Sequence, residues 1–129
     1  MIRLVSALLL LLLLAAPASG AEVIGSGIIS SQTTTTAIAA VAGETIAIMS
    51  ASFCVDAGGA TTGITIRSST PTNLIGTSVV YAVGAGSCLV FPRSGGKPWG
   101  SIAVAGTSLQ IVTTVGNGPV NYYIEAVQQ

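Results

Sequence analysis

After about residue 21, short segments rich in β-branched residues alternate with Gly, Pro, Ser and Asn. No long stretch there repeats apolar residues with the 3.6-residue period of a helix. This pattern predicts an all-β protein. The predicted strands cover residues 23–30, 33–41, 44–55, 63–68, 74–83, 87–91, 100–104, 108–114 and 120–127.

Three of the predicted strands alternate between two faces. The opposed sets are Ile46, Ile48 and Ser50 against Thr45, Ala47 and Met49; Ile64 and Ile66 against Thr65 and Arg67; and Val120, Tyr122, Ile124 and Ala126 against Asn121, Tyr123 and Glu125. The last two of these strands have one wet and one dry face, whereas the first alternates less cleanly. Half-buried antiparallel strands of this kind pack as two sheets. We therefore predict an all-β fold, an antiparallel β-sandwich or jelly-roll-like single domain, with Tyr122 in the core and Tyr123 exposed.

The first 21 residues have the order of a secretory signal peptide. A positive start at Arg3 precedes an apolar block at 4–16, which Pro17 and small residues follow. Cleavage fits after Ala18, Gly20 or Ala21, and the last two are favoured. The alternative is an uncleaved anchor, but the block is shorter than the ~20 apolar residues of a spanning helix. The predicted organisation is a signal peptide at 1–21 and one β-sandwich domain at 22–129, secreted or periplasmic, with no membrane span after cleavage.

Cys54 and Cys88 are the only cysteines. An even pair in an exported chain predicts one disulfide, and two thiols without histidine cannot complete a typical zinc site. Cys54 shares its parity with Ile46 and Ile48, so it should point inward if the strand is unbroken. The disulfide then either joins the two sheets or ties a loop to an edge.

Two nine-residue segments are similar: AVAGETIAI at 40–48 and AVAGTSLQI at 103–111. They share the four residues AVAG, and similar residues follow. In both copies Ala-Gly can form a turn with positive φ at the glycine, and a strand follows with Ile or Leu facing inward. We interpret the copies as matching corners of the fold, one in each half of the chain. Chance recurrence of common turn residues is the alternative.

Charged residues make up only 6% of the chain, against about 25% in ordinary soluble domains. After residue 21 the charged residues are Glu22, Glu44, Asp56 and Glu125 against Arg67, Arg93 and Lys97, a net charge of −1. Nothing in this balance attracts nucleic acid. A neutral surface favours association, so a homo-oligomer or filament is predicted, with a monomer as the alternative. The uncharged segment 33–41 would be a template for strand pairing if it lies at a sheet edge.

The chain contains no histidine, which excludes His-dependent catalytic triads. Its four acids lie in separate elements, and Gly96-Lys97 fails the phosphate-loop pattern because Phe91 and Pro98 occupy required positions. We predict no catalytic residue, no metal site, no cofactor and no enzymatic activity.

The longest polar loop, 93–100, contains Arg93, Lys97 and Trp99. Loops on a rigid scaffold often carry binding residues. Together with exposed Tyr123, these residues are a candidate binding site for a glycan or cell surface, because aromatic rings suit partly wet contacts. In the alternative, Trp99 only anchors its loop.

Several short motifs occur in a recognisable series: AVAG at 40–43, ATT at 60–62, IGT at 75–77, LVF at 89–91 after a Gly-rich turn, AGTSL at 105–109 and VNYY at 120–123. The series resembles small β-sandwich proteins of phage and prophage virions and related bacterial secreted surface proteins. That resemblance implies a virion, tail-fibre or surface-appendage role through trimers or lattices. A virion protein that assembles in the cytoplasm needs no signal peptide, whereas this chain is predicted to have one. We therefore expect an exported structural or assembly subunit. A secreted glycan- or cell-surface-binding module is the alternative.

Overall fold

The computed structural model of the protein describes residues 20–70, 75, 80–114 and 119–129. The predicted signal segment up to residue 19, and most of 74–80 in the fifth predicted strand, lie outside them. The described residues form no helix, and so none able to span a membrane. They form the strands β1 (Ala21–Ile29), β2 (Thr34–Ile38), β3 (Ile46–Val55), β4 (Thr62–Ser68), β5 (Tyr81–Val83), β6 (Cys88–Phe91), β7 (Gly100–Ile102), β8 (Leu109–Thr113) and β9 (Val120–Gln128).

The strands form two antiparallel sheets packed face to face. Sheet A has the order β1-β9-β3-β6, with β7 also paired to β3, and sheet B has the order β2-β8-β4-β5. The chain therefore crosses between the sheets from β1 to β2, β2 to β3, β3 to β4, β5 to β6, β7 to β8 and β8 to β9. This crossing pattern defines a jelly-roll β-sandwich, which confirms the predicted fold class.

The core lies between the inner faces of the two sheets. Ile48 and Phe53 of sheet A and Ile64, Leu109 and Ile111 of sheet B have no exposed surface. Burying each such side chain stabilises the fold by about 1.5–3 kcal/mol. Alternation in β9 places Tyr122 in this core and leaves Tyr123 41% exposed, as predicted.

The prediction that Cys54 points inward is wrong, because β3 contains a β-bulge. Ile48 pairs with Ala126 and Ser50 pairs with Glu125, so Met49 is an extra residue on β3. After a bulge, the residues that face the core have the opposite parity.

The bulge consequently turns Cys54 to the outer face of sheet A, half-buried, where it pairs with Cys88. The Cys54–Cys88 disulfide is confirmed, with its Cα atoms 4.1 Å apart. It joins neighbouring strands of one sheet rather than the two sheets, and it ties the edge strand β6 to β3.

The prediction of a wet face at Thr65 in β4 is also wrong, since Thr65 is only 8% exposed. β4 lies inside sheet B between β8 and β5. Val112 of β8 is directly opposite Thr65 and therefore flanks it on the same face. Arg67 is less buried, and its Nε donates to Oε1 of Gln110 at 3.2 Å.

The two repeated segments have the same local structure. Gly43 and Gly106 have φ angles of 80° and 71°, and a strand begins three residues after each of them. The two corners also meet, because the Gly106 N–H donates to the Glu44 carbonyl at 2.9 Å. The interpretation as matching corners is confirmed, with one corner leading into each sheet.

Removal of the disulfide by Cys54→Ala/Cys88→Ala should lower the free energy of unfolding, because the unfolded chain without the cross-link gains conformational freedom. For a sequence separation of 34, the chain-entropy estimate is about 4 kcal/mol. Denaturant unfolding followed by tryptophan fluorescence measures the loss. An unchanged denaturation midpoint would contradict this prediction.

Candidate binding surface

The predicted loop at 93–100 is an excursion from the edge of sheet A. Phe91 at the end of β6 pairs with Ala51, and Gly100 at the start of β7 pairs with Ile48. The chain thus leaves β3 opposite its bulge, makes the excursion 92–99, and returns to the same strand. Ser94 and Lys97 form an antiparallel bridge around the turn at Gly95–Gly96.

Trp99 is half-buried at the base of this excursion rather than fully exposed. Its ring lies on Phe91, with ring centroids 3.9 Å apart and a 33° tilt, and its backbone N–H donates to the Ile48 carbonyl at 2.7 Å. Phe91 in turn meets the edge of Tyr81 at 5.4 Å. Since Tyr81 belongs to sheet B, the three rings link the two sheets beside β5 and β6. Trp99 therefore anchors its loop.

Arg93 lies over the outer face of sheet A and contacts two carboxylates. Its guanidinium is 3.6 Å from Glu22 of β1 and 3.9 Å from Glu125 of β9. The Glu125 carboxylate also accepts hydrogen bonds from Ser50 Oγ at 2.9 Å and Tyr123 Oη at 3.4 Å. We call these five residues the Glu125 cluster. Such exposed ion pairs contribute little to stability, so the cluster marks where the excursion meets the outer face of β1 and β9.

Glu22, Arg93 and Glu125 of the cluster line a depression of about 80 Å³, together with residues that include Ile24 and Met49. Small-molecule sites usually enclose about 300–1,000 Å³. This depression is too small to enclose a ligand of that kind.

The structure brings together only part of the sequence-predicted site. Arg93 and Tyr123 meet through Glu125, whereas Trp99 faces Phe91 and Lys97 lies exposed beside the turn of the excursion. The roles of Glu22 and Ser50 were missed from the sequence, since both lie in strands distant from Arg93 along the chain. Glycan or cell-surface binding by these residues stays a prediction.

A second feature of the outer face is apolar and lies on the edge strand β1. Ile24 and Ile28 are 64% and 69% exposed, although both are in a regular strand. In the part of the chain that the structure describes, β1 pairs only with β9, so its other side is unpaired. A long, almost uncharged edge with exposed isoleucines is a surface that can pair with another strand.

The chain matches no protein-family model and no curated protein. Within the described ranges, no group of three or more His, Cys, Asp or Glu residues could hold a metal ion.

The loop-anchoring role of Trp99 predicts that Trp99→Ala destabilises the fold. Loss of the contact with Phe91 should lower the free energy of unfolding by about 2 kcal/mol, less than for a fully buried ring. Chemical denaturation followed by far-UV circular dichroism measures the change. Lys97→Ala, at the exposed end of the same loop, is the control and should change the free energy by less than about 0.5 kcal/mol. Equal stability of both variants would contradict the anchoring role.

Proposed function

We propose that the protein is an exported, non-enzymatic structural subunit that associates with copies of itself. The observation that carries this proposal is the edge strand β1 (Ala21–Ile29), which presents Ile24 and Ile28 to solvent and keeps residues 22–29 even if the signal peptide is cleaved after Ala21. Monomeric proteins usually protect such edges with lysine, proline or a bulge. β1 contains none of the three, and its pairing with β9 is continuous from Ala21 to Ile29.

The other edge strands are shorter or interrupted in the described residues. β2, within the uncharged segment 33–41, is an edge strand of sheet B, but it has five residues and an irregular register between Thr36 and Ile38. β5 has three residues, and the β6–β7 edge is interrupted by the excursion 92–99. β1 is therefore the strand best suited to pair with another chain.

The low charge of the chain favours association between copies of the protein. With three bases and four acids after residue 21, copies of the protein repel one another only weakly. The disulfide supports export, because such bonds persist mainly in oxidising compartments.

The resemblance to small β-sandwich proteins of virions and secreted surfaces supports the same kind of role. In this proposal the subunit is part of a surface appendage, filament or virion-like particle. The predicted signal peptide favours the appendage or filament.

The proposal predicts that the exported protein is oligomeric in solution. Size-exclusion chromatography with multi-angle light scattering should give at least twice the monomer mass at tens of micromolar protein. Ile24→Lys/Ile28→Lys should shift the protein to monomer, because charged side chains on an edge strand oppose pairing. Both isoleucines are mostly exposed, so the fold should persist in circular dichroism.

Val41→Lys/Val104→Lys is the matched control, because it also adds two lysines at exposed apolar positions, 42% and 44% exposed, outside every strand. It should leave the oligomer intact. A wild-type protein that is monomeric at tens of micromolar would refute the proposal.

A further inference from the structure

The exposed edge strand β1 has a palindromic sequence, Ile-Gly-Ser-Gly-Ile at 24–28, centred on Ser26. Intrachain packing accounts for the glycines. A Cβ at Gly25 would lie 2.5 Å from the Ala37 carbonyl oxygen, and one at Gly27 would lie 3.1 Å from the Tyr122 ring. Nothing in the described part of the chain covers Ile24 and Ile28, which face solvent on either side of Ser26.

We propose that β1 pairs antiparallel with β1 of a second copy about a two-fold axis at Ser26, an inference that rests on the proposed self-association. In a two-fold interface residue i meets residue j and j meets i. This register places Ile24 opposite Ile28 of the second copy, Gly25 opposite Gly27, and Ser26 opposite Ser26. The two A sheets then form one continuous sheet, and all four isoleucines lie together on its outer face.

Charge is compatible with this register. Glu22 is the only charged residue in β1, and Arg93 lies 3.6 Å from it in the same chain. Glu22 is opposite Ser30 of the second copy, so the two Glu22 residues lie about 27 Å apart along the strands. That distance exceeds the Debye length of about 8–10 Å at physiological salt. A register shifted to centre on Gly25 would instead place Glu22 opposite Ile28.

The opposite edge of sheet A favours a closed dimer over head-to-tail pairing of sheets. There, β6 offers four residues and β7 three, separated by the excursion 92–99. A nine-residue strand such as β1 cannot pair continuously along that edge. Sheet extension therefore stops at two copies, and any larger assembly uses a different surface.

The register is tested by two variants that differ only at residue 28. In Ile24→Lys/Ile28→Lys, the lysine introduced at position 24 meets the lysine at position 28 of the second copy, whereas in Ile24→Lys/Ile28→Glu it meets a glutamate. In both variants the lysine at position 24 also lies beside Glu125 of its own chain, so the intrachain setting at this position is matched. Analytical ultracentrifugation should show dimerisation of the Lys/Glu variant at least about tenfold tighter than that of the Lys/Lys variant.

A cross-linking experiment separates failure of this interface from failure of the proposed function. Ser26→Cys should give a covalent dimer with a short bismaleimide at concentrations where the wild type is dimeric. Ser101→Cys, on the outer face at the opposite edge of sheet A, should stay monomeric.

If the wild type associates but Ser26→Cys does not cross-link, or both cysteines cross-link equally, the β1 interface is wrong and self-association stands. Equal dimerisation of the two residue-28 variants overturns the register. A wild type that never associates removes both the interface and the proposed function.

Discussion

The bulge at Met49 gives β3 one residue more than the strand it pairs with, β9, and much of sheet A depends on this mismatch. It reverses the parity of the residues that follow, so Phe53 fills the core while Cys54 faces outward to bond Cys88. The partner strands on the other side of β3 break at the same point, between Phe91 and Gly100. A bulge locally disrupts pairing and redirects the side chains of the strand that carries it. The excursion 92–99 and the Glu125 cluster lie around this irregularity, and the outward position of the disulfide further along β3 follows from it.

The same irregularity makes the two edges of sheet A unlike each other. On the β6–β7 side, the excursion, its Trp99 anchor and the Arg93 contacts leave only short strands at the edge. On the β1 side, the strand is regular and neutral for almost all of its length. Only one edge of sheet A can therefore pair with a strand of another copy. This favours a two-fold dimer over an open, head-to-tail series of sheets. The proposed interface thus follows from the difference between the two edge regions of sheet A, a regular β1 on one side and the short strands β6 and β7 on the other.

The β-sandwich could be predicted from the sequence because alternation and turn residues act locally. Each predicted strand has a counterpart in the structure, with ends that differ by a few residues wherever both ends lie in the described part of the chain, and the corners at Gly43 and Gly106 were recognisable from their repeat. The bulge could not be predicted, since Met49 looks like an ordinary strand residue and its effect depends on pairing with β9. For the same reason Cys54 was oriented wrongly. The Glu125 cluster was also missed, because sequence does not show which strands are neighbours, whereas the exposed Tyr123 followed from alternation alone.

The most direct test of the β1 interface is hydrogen exchange of the β1 backbone amides at several protein concentrations. Amides that point away from β9 exchange quickly in a monomer and are protected when they bond another strand. We predict that protection of residues 24–28 rises with concentration, while exchange in the edge strand β2 stays constant. Exchange in β1 that is independent of concentration, in a protein that light scattering shows to be oligomeric, would contradict this interface.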